Sequence, residues 1–316
     1  MLRNLVIALV CLSACEGSRQ VPVTDDPNQC AGSPSVDQDA DFRHTSSSLV
    51  AHLGDPHHRG LDLITTDTAD TQTLSGWIKY SDADKSLEDE DVHVFACMNQ
   101  TWTEVGTART SEEGRFDLQL TGDARLTDGL RDMYLSVVGD ATGAAFLAYV
   151  APEGTPLVIS DVDGTLTGSE NQYPESLAAG TDVDVQPNAA AAFQRVTGEG
   201  LQIVYITARG NRFTDDTRQW LADQGFPRGP VRLVDGLAVL PGQATIDYKT
   251  NTMAALTGFS FDAGIGNRDS DITAYTNVGI AADHILIKLP EFEGECWYDL
   301  DQHKAIGFDD YANLPL

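Results

Sequence analysis

Basic residues are scarce in this chain. Its 316 residues hold 20 lysines and arginines against 48 aspartates and glutamates, a formal net charge of -28. Such a chain repels polyanions over a Debye length, roughly 8 Å in physiological salt. No nucleic acid partner is therefore expected, and no basic patch is available to hold an anionic membrane. Long apolar runs are lacking too: none reaches the ~20 residues of a membrane-spanning helix. Cysteine is sparse, at 5 residues. No two cysteines of the region after Cys15 lie at ligand spacing, which argues against a cysteine-built metal centre. What the chain does have is length, enough for two domains with separate cores. Its acidic surplus is spread out and reads as solvated surface.

The chain starts with one positive charge at Arg3 and a short apolar run over residues 5–12. That run is too short to span a bilayer and reads as a secretory signal. It ends in Leu12, Ser13, Ala14 and Cys15, which resembles a bacterial lipobox. The expectation is a signal peptide over residues 1–14 and lipid on Cys15. The product would be an exported lipoprotein of the cell envelope, anchored by its acyl chains. Residues 15–48 are rich in Asp, Ser, Gln, Thr and Pro without an apolar period, and read as a flexible tether. Cys30, Cys97 and Cys296 follow in an oxidising compartment, so one disulfide is expected, with the pair left open.

Residues 49–151 read as a small β-sandwich. Candidate strands are 74–80, 92–98, 103–110, 115–120, 133–138 and 144–150, with turn signals at 112–115 and 139–143. Phe116, Leu118 and Leu120 alternate with Asp117 and Gln119, as a half-buried strand should. His52, His57, His58 and Arg59 lead into this region. No carboxylate or cysteine pattern completes a metal set with them, so they read as a polar entry segment. The acidic run 82–91 lacks the central glycine of a calcium loop and reads as a solvated turn.

From residue 152 onward strands and helices alternate, which argues for a parallel α/β sheet. Strands are expected at 157–160, 201–206, 231–234, 261–265 and 285–289, the last closing the sheet. Helices are expected at 188–196, 213–224 and 250–256, with another opening at Ser270. Thr214 is a candidate N-cap and Gly225 a helix stop. Polar residues then follow successive strands. Asp161 and Asp163 come after the first, Thr207 and Arg209 after the second, and Asn267, Asp269 and Asp271 after the fourth. Lys249 precedes the helix at Thr250. In a parallel sheet these strand ends share one edge, so distant residues converge there. Hard oxygens beside a lysine and a threonine suit a phosphate held by magnesium.

The carrying segments are ISDVDGTLT at 159–167, VYITAR at 204–209, TRQWL at 217–221 with Gly229 and Pro230, Tyr248 with Lys249, and GNRDSDITAY at 266–275. They resemble the haloacid-dehalogenase-like phosphohydrolases, and within them the lipin-type phosphatidate phosphatases and their bacterial relatives. The resemblance implies a Rossmann-like parallel sheet with little or no cap over residues 152–316, preceded by an immunoglobulin-like sandwich. It implies that Asp161 is the nucleophile and Asp163 the acid and base. Thr207, Lys249 and Gly164 would bind the substrate phosphate. Magnesium would be held by Asp161, Asp163 through its carbonyl, Asp271 and, less directly, Asn267. Arg209 and Arg268 would contact substrate or pair with carboxylates, and Asp269 would face solvent. The implied reaction is magnesium-dependent hydrolysis of a phospholipid phosphomonoester, phosphatidic acid first. Two alternatives stand beside it: another lipid or small soluble phosphomonoester as substrate, and a module that binds acidic phospholipid without turnover. Lipin-like domains of lipid-transfer proteins lack the nucleophilic aspartate, whereas Asp161 is present here.

Overall fold

The computed structural model describes residues 26–36, 41–172, 183–236, 238–239 and 241–316. The expected signal peptide and Cys15 lie outside the described residues. After helix α1 (Thr45–His52), the chain forms β1 (Arg59–Leu61), β2 (Leu63–Thr66), β3 (Thr71–Trp77), β4 (Lys79–Tyr80), β5 (Lys85–Ser86), β6 (Asp91–Met98), β7 (Thr101–Arg109), β8 (Arg115–Thr121), β9 (Gly129–Val137) and β10 (Gly143–Ala151). A three-stranded sheet, β1-β3-β8, packs on a five-stranded one, β2-β10-β9-β6-β7. Leu74 and Phe116 from the first meet Val92, Val94, Met133, Leu135 and Phe146 from the second. Each such burial contributes about 1.5–3 kcal/mol. The expected strand at 74–80 is divided at Ile78. That residue is fully buried and its N–H donates to Gly114 O at 2.8 Å.

Strands β1 and β2 fall where the sequence suggested only a polar entry segment. They are short, and between them the chain crosses from one sheet to the other. β1 pairs antiparallel with β3, while β2 pairs parallel with β10. Asp62 occupies the crossing. Nor is the segment before α1 a free tether in its described part. Pro27 O accepts from Gln100 N at 2.8 Å, Asn28 O accepts from Asp132 N at 2.9 Å, and Cys30 forms a disulfide with Cys97 of β6. Residues 26–36 are therefore fixed to the sandwich. Among the described residues Cys296 is the remaining thiol, and it is buried.

The second half is an α/β unit. Its elements are β11 (Pro156–Ser160), α2 (Ala189–Gly198), β12 (Gln202–Gly210), α3 (Thr214–Asp223), β13 (Val231–Val234), α4 (Gln243–Ala254), β14 (Ser260–Gly266), α5 (Asp269–Asn277), β15 (Ile285–Lys288), α6 (Glu293–Asp301) and β16 (Ile306–Phe308). The six-stranded sheet runs β13-β12-β11-β14-β15-β16, with every neighbouring pair parallel. Both faces are covered, as parallel sheets require. Val158, Ile203, Tyr205, Ala263 and Ile265 pack with Phe193 of α2 on one face. Leu157, Ile159, Val204 and Ile206 pack with Met253 of α4 and Ile272 of α5 on the other.

Three expectations change here. β15 does not close the sheet, because β16 adds beyond it. Thr214 does not cap α3; its hydroxyl donates back to Asn211 O at 2.6 Å, and Phe213 holds the cap position. Helix α4 starts at Gln243, so Lys249 sits inside it rather than before it. The polar stretch Gln243, Thr245, Asp247 hides that start from an apolar-period reading.

The two halves are joined through buried polar contacts. Asp62 accepts from Leu147 N at 2.6 Å within the sandwich. From the α/β unit it accepts Val231 N at 2.7 Å and Arg218 Nη1 at 3.0 Å. Tyr149 stacks on Phe259 nearby. Among the described residues, no helix is long and apolar enough to cross a membrane.

Candidate active site

Strand β11 lies inside the parallel sheet and ends at Ser160, so Asp161 is delivered to the carboxyl edge. The Asp161 backbone is pinned there by its N–H to Ile265 O at 2.9 Å. Its side chain is 4% exposed and has two partners. Lys249 Nζ donates to Oδ1 at 2.7 Å, and Thr165 Oγ1 donates to Oδ2 at 3.1 Å. Lys249 reaches it from α4, and its other bond, at 2.5 Å, goes to Asp271 Oδ1. Asp271 is the third residue of α5. Its Oδ2 accepts the N–H groups of Asn267 and Arg268 at 3.1 Å each, tying the end of β14 to the start of the helix. A carboxylate there is favoured by the helix dipole.

Asp163 is clamped. Arg209 Nη2 donates to its Oδ1 at 2.7 Å and Arg209 Nε to its Oδ2 at 2.9 Å, and Thr207 Oγ1 donates to Oδ2 at 2.9 Å. Thr207, expected to hold phosphate, thus holds Asp163. Gly164 contributes through what it lacks. Its φ is +68°, and a Cβ there would stand 2.0 Å from Asn267 Nδ2. Its N–H donates to Thr167 Oγ1 at 2.8 Å and is not turned toward a ligand.

Arg268 lines the cleft, but its guanidinium is engaged with carboxylates. It pairs with Glu295 of α6 at 2.9 Å and lies over the Phe292 ring. Asp269, expected to face solvent, is paired as well. Burial first, then the facing Glu295, push its carboxyl up to about 6. Sequence reasoning passed over Glu170, nine residues beyond Asp161. It lines the same cleft, and it sits in a Gly-Ser loop with no periodicity to mark it.

The cleft is small, about 70 Å³, and is lined by Asp161, Asp163, Glu170, Lys249, Asn267 and Asp271 among others. Four carboxylates crowd it. Burial above all, then Asp271, Glu170 and Asp163, push Asp161 up to about 8 against the pull of Lys249. Burial also raises Glu170, with Asp163 and Asp271 adding to it and the Asn267 amide opposing. Burial alone would depress Lys249, but Asp161 and Asp271 hold its ammonium well above the usual range.

These residues fit a hard divalent cation, though not as expected. Among the described residues, no three His, Cys, Asp or Glu side chains converge closely enough to hold a metal by themselves. Asp271, expected as a ligand, has both oxygens engaged. Asn267 is 1% exposed, and its Oδ1 has no hydrogen-bond partner among the described residues. An unpaired buried acceptor beside crowded carboxylates is the donor set that magnesium takes.

Residues 158–288 match the family model described as the LNS2 domain of PITM 1-3. Residues 56–150 match the model described as the beta-sandwich domain of PITM 1-3. Protein retinal degeneration B of Drosophila melanogaster is 26% identical over 304 residues, covering 94% of this chain and 23% of that protein. The human membrane-associated phosphatidylinositol transfer protein 3 is 27% identical over 235 residues, covering 73% of this chain and 23% of that protein. The chain thus spans about a quarter of the length of these relatives. Among solved structures, a D,D-heptose 1,7-bisphosphate phosphatase from B. bronchiseptica complexed with magnesium and phosphate is 16% identical with a TM-score of 0.35, over 50% of this chain and 94% of that one. A class C acid phosphatase from Bacillus anthracis is 17% identical with a TM-score of 0.33, over 50% of this chain and 67% of that one.

Proposed function

We propose that the α/β domain is a haloacid-dehalogenase-like, magnesium-dependent phosphomonoesterase, with phosphatidic acid as its substrate. The observation that carries this reading is Asp161. It is a buried carboxylate at a sheet edge, oriented by Lys249 and Thr165, with a second carboxylate, Asp163, two residues on. Asp161 attacks phosphorus, the bond to the leaving oxygen breaks, and an aspartyl-phosphate forms. Asp163 gives a proton to the leaving alkoxide and then takes one from the water that releases inorganic phosphate. Lys249 keeps Asp161 aimed and faces the incoming phosphoryl oxygens. Asp161, the Asp163 carbonyl and Asn267 would hold magnesium, with Asp271 beside them. The ion would neutralise charge on the phosphoryl group. Arg209 and Thr207 occupy both Asp163 oxygens, so proton transfer requires that clamp to open. A substrate phosphate competes for the same guanidinium and hydroxyl, and its arrival would free Asp163.

A second reading has one observation in its favour. The same clamp holds Asp163 away from acid chemistry, and the matched human relative is named as a phosphatidylinositol transfer protein. On that reading the domain binds acidic phospholipid without turnover. We further propose a lipidated Cys15 holding the protein at a bacterial membrane, and an immunoglobulin-like sandwich as support for the phosphatase. Mass spectrometry of the membrane fraction tests the lipid.

The deciding experiment is phosphate release from phosphatidate in mixed micelles, with and without magnesium, beside lysophosphatidate and sugar phosphates. Magnesium-dependent release from phosphatidate is expected, and Asp161→Asn should lower it roughly a thousandfold or more. Release only from sugar phosphates would keep the chemistry and remove the lipid substrate. Phosphatidate binding with no release from any substrate would establish the second reading.

A further inference from the structure

Glu170 was not among the residues the sequence singled out, yet the cleft is arranged around it. Its own N–H donates to the Glu291 carboxylate at 3.1 Å, which fixes the loop at that point. Its Oε1 lies 3.6 Å from Arg268 Nη1. Its Oε2 accepts from Asn267 Nδ2 at 3.1 Å. The last contact sets a direction. A carboxylate can only accept, so the NH2 end of the Asn267 amide must face Glu170. The carbonyl end then faces the other way, and Oδ1 is the buried acceptor left without a partner. Asn267 is 1% exposed, so that oxygen is shielded from bulk solvent. The absence of a Cβ on Gly164 makes the arrangement possible, since one would stand 2.0 Å from Asn267 Nδ2 and 3.0 Å from Glu170 Oε2.

We infer that Glu170 is a positioning residue for the metal: it fixes the Asn267 amide so that Oδ1, not Nδ2, is offered to a divalent cation in the cleft. Outer partners of this kind set ligand orientation, and their loss weakens metal binding by about 10- to 100-fold. The inference rests on the magnesium-dependent reading above. It also gives Asn267 a role that a free-standing amide would not have. Without Glu170 the amide could turn over and present NH2, which repels a cation. An aspartate at position 267 would need no such help, because its two oxygens are equivalent.

That difference supplies the test. Magnesium affinity of the whole protein is measured by isothermal titration calorimetry, and manganese affinity by electron paramagnetic resonance. The proteins are wild type, Glu170→Ala, Glu170→Gln, Asn267→Asp and the double variant Glu170→Ala with Asn267→Asp. Each is first melted in EDTA to show an intact fold. Glu170→Ala should weaken binding about 10- to 100-fold. Glu170→Gln keeps an oxygen for the Asn267 NH2 and should lose no more than about threefold, since the hydrogen bond survives without its charge. In the Asn267→Asp background, Glu170→Ala should cost almost nothing, the non-additivity expected of two residues acting as one unit. Wild-type affinity in Glu170→Ala would overturn the inference. So would equal losses in the Ala and Gln variants, which would assign Glu170 a purely electrostatic role. A full loss that persists in the Asn267→Asp background would overturn it as well. If wild type itself binds neither ion at millimolar concentration, the metal-dependent reading falls and this one with it, a result distinct from the other three.

Discussion

Asp161→Asn should stabilise the metal-free protein while abolishing its turnover. The Asp161 carboxyl releases its proton near 3.8 in its ordinary state and near 8 in the folded site, where burial and three other carboxylates oppose ionisation. Between those values the folded chain holds a proton that the unfolded chain has released. Stability therefore falls as pH rises between those values, by at most about 1.4 kcal/mol per pH unit and about 4 kcal/mol in all at pH 7, and the Lys249 ammonium, held up by the ionised Asp161, offsets part of it. An asparagine does not titrate, so the variant escapes this loss. It also keeps an oxygen for Lys249 Nζ, and Lys249 retains Asp271, so little of the pairing is given up. About 4 kcal/mol is then an upper limit, and at 2–4 °C per kcal/mol the melting temperature should rise by several degrees, up to roughly 10 °C. The assay is differential scanning calorimetry in EDTA at pH 4, 5.5, 7 and 8. The gap between variant and wild type should widen steadily with pH. A constant gap, or a variant that melts below wild type at pH 7 and 8, would refute the reasoning. It would mean that Asp161 is ionised at no cost because Lys249 compensates its burial in full.

Two further outcomes follow from the fold. Asp62→Asn places an NH2 against a backbone N–H whichever way the amide turns, and it strips the charge facing Arg218. The loss should be about 3–5 kcal/mol in urea unfolding, as for other broken buried pairs, and a variant within 1 kcal/mol of wild type would show the latch to be dispensable. His58 is buried, with Nδ1 accepting from Lys79 N and Nε2 facing Thr142; burial holds its pKa down at about 4 against an ordinary 6.5. The stability it contributes is complete above pH 6.5 and is lost as pH falls toward 4, about 3 kcal/mol in total. His58→Gln should remove that part of the acid sensitivity, and an unchanged pH slope would refute it.

Much of the α/β half is legible in the sequence because its signals are local. A buried parallel strand is a short continuous apolar run, and the strands at 231–234 and 261–265 were found with almost no shift of boundary. Residues at or just beyond the carboxyl ends of such strands reach the sheet edge by topology, which is why Asp161, Thr207 and Asp271 converge, while Lys249 joins them from inside α4. Lys249 was misplaced relative to its helix because the first turns of α4 are polar and carry no apolar period. Strands β1 and β2 were invisible for a related reason. They run for only three and four residues, and β2 pairs with β10, far away in the chain.

The sequence by itself determined the acidic character, the alternation of strands and helices in the second half, and which residues, Glu170 excepted, supply the carboxylates and the lysine of the cleft. These follow from period, composition and the one-edge geometry of a parallel sheet. Only the tertiary structure decided what those residues do to one another. Thr207 and Arg209 close on Asp163, both Asp271 oxygens go to Lys249 and to the α5 N-terminus, and Glu170 turns Asn267. Cys30 chose Cys97, and residues 26–36 of the presumed tether lie on the sandwich. Hydrogen bonds and ion pairs are set by distances of a few ångströms between segments as much as 169 residues apart, and no local pattern along the chain encodes such distances.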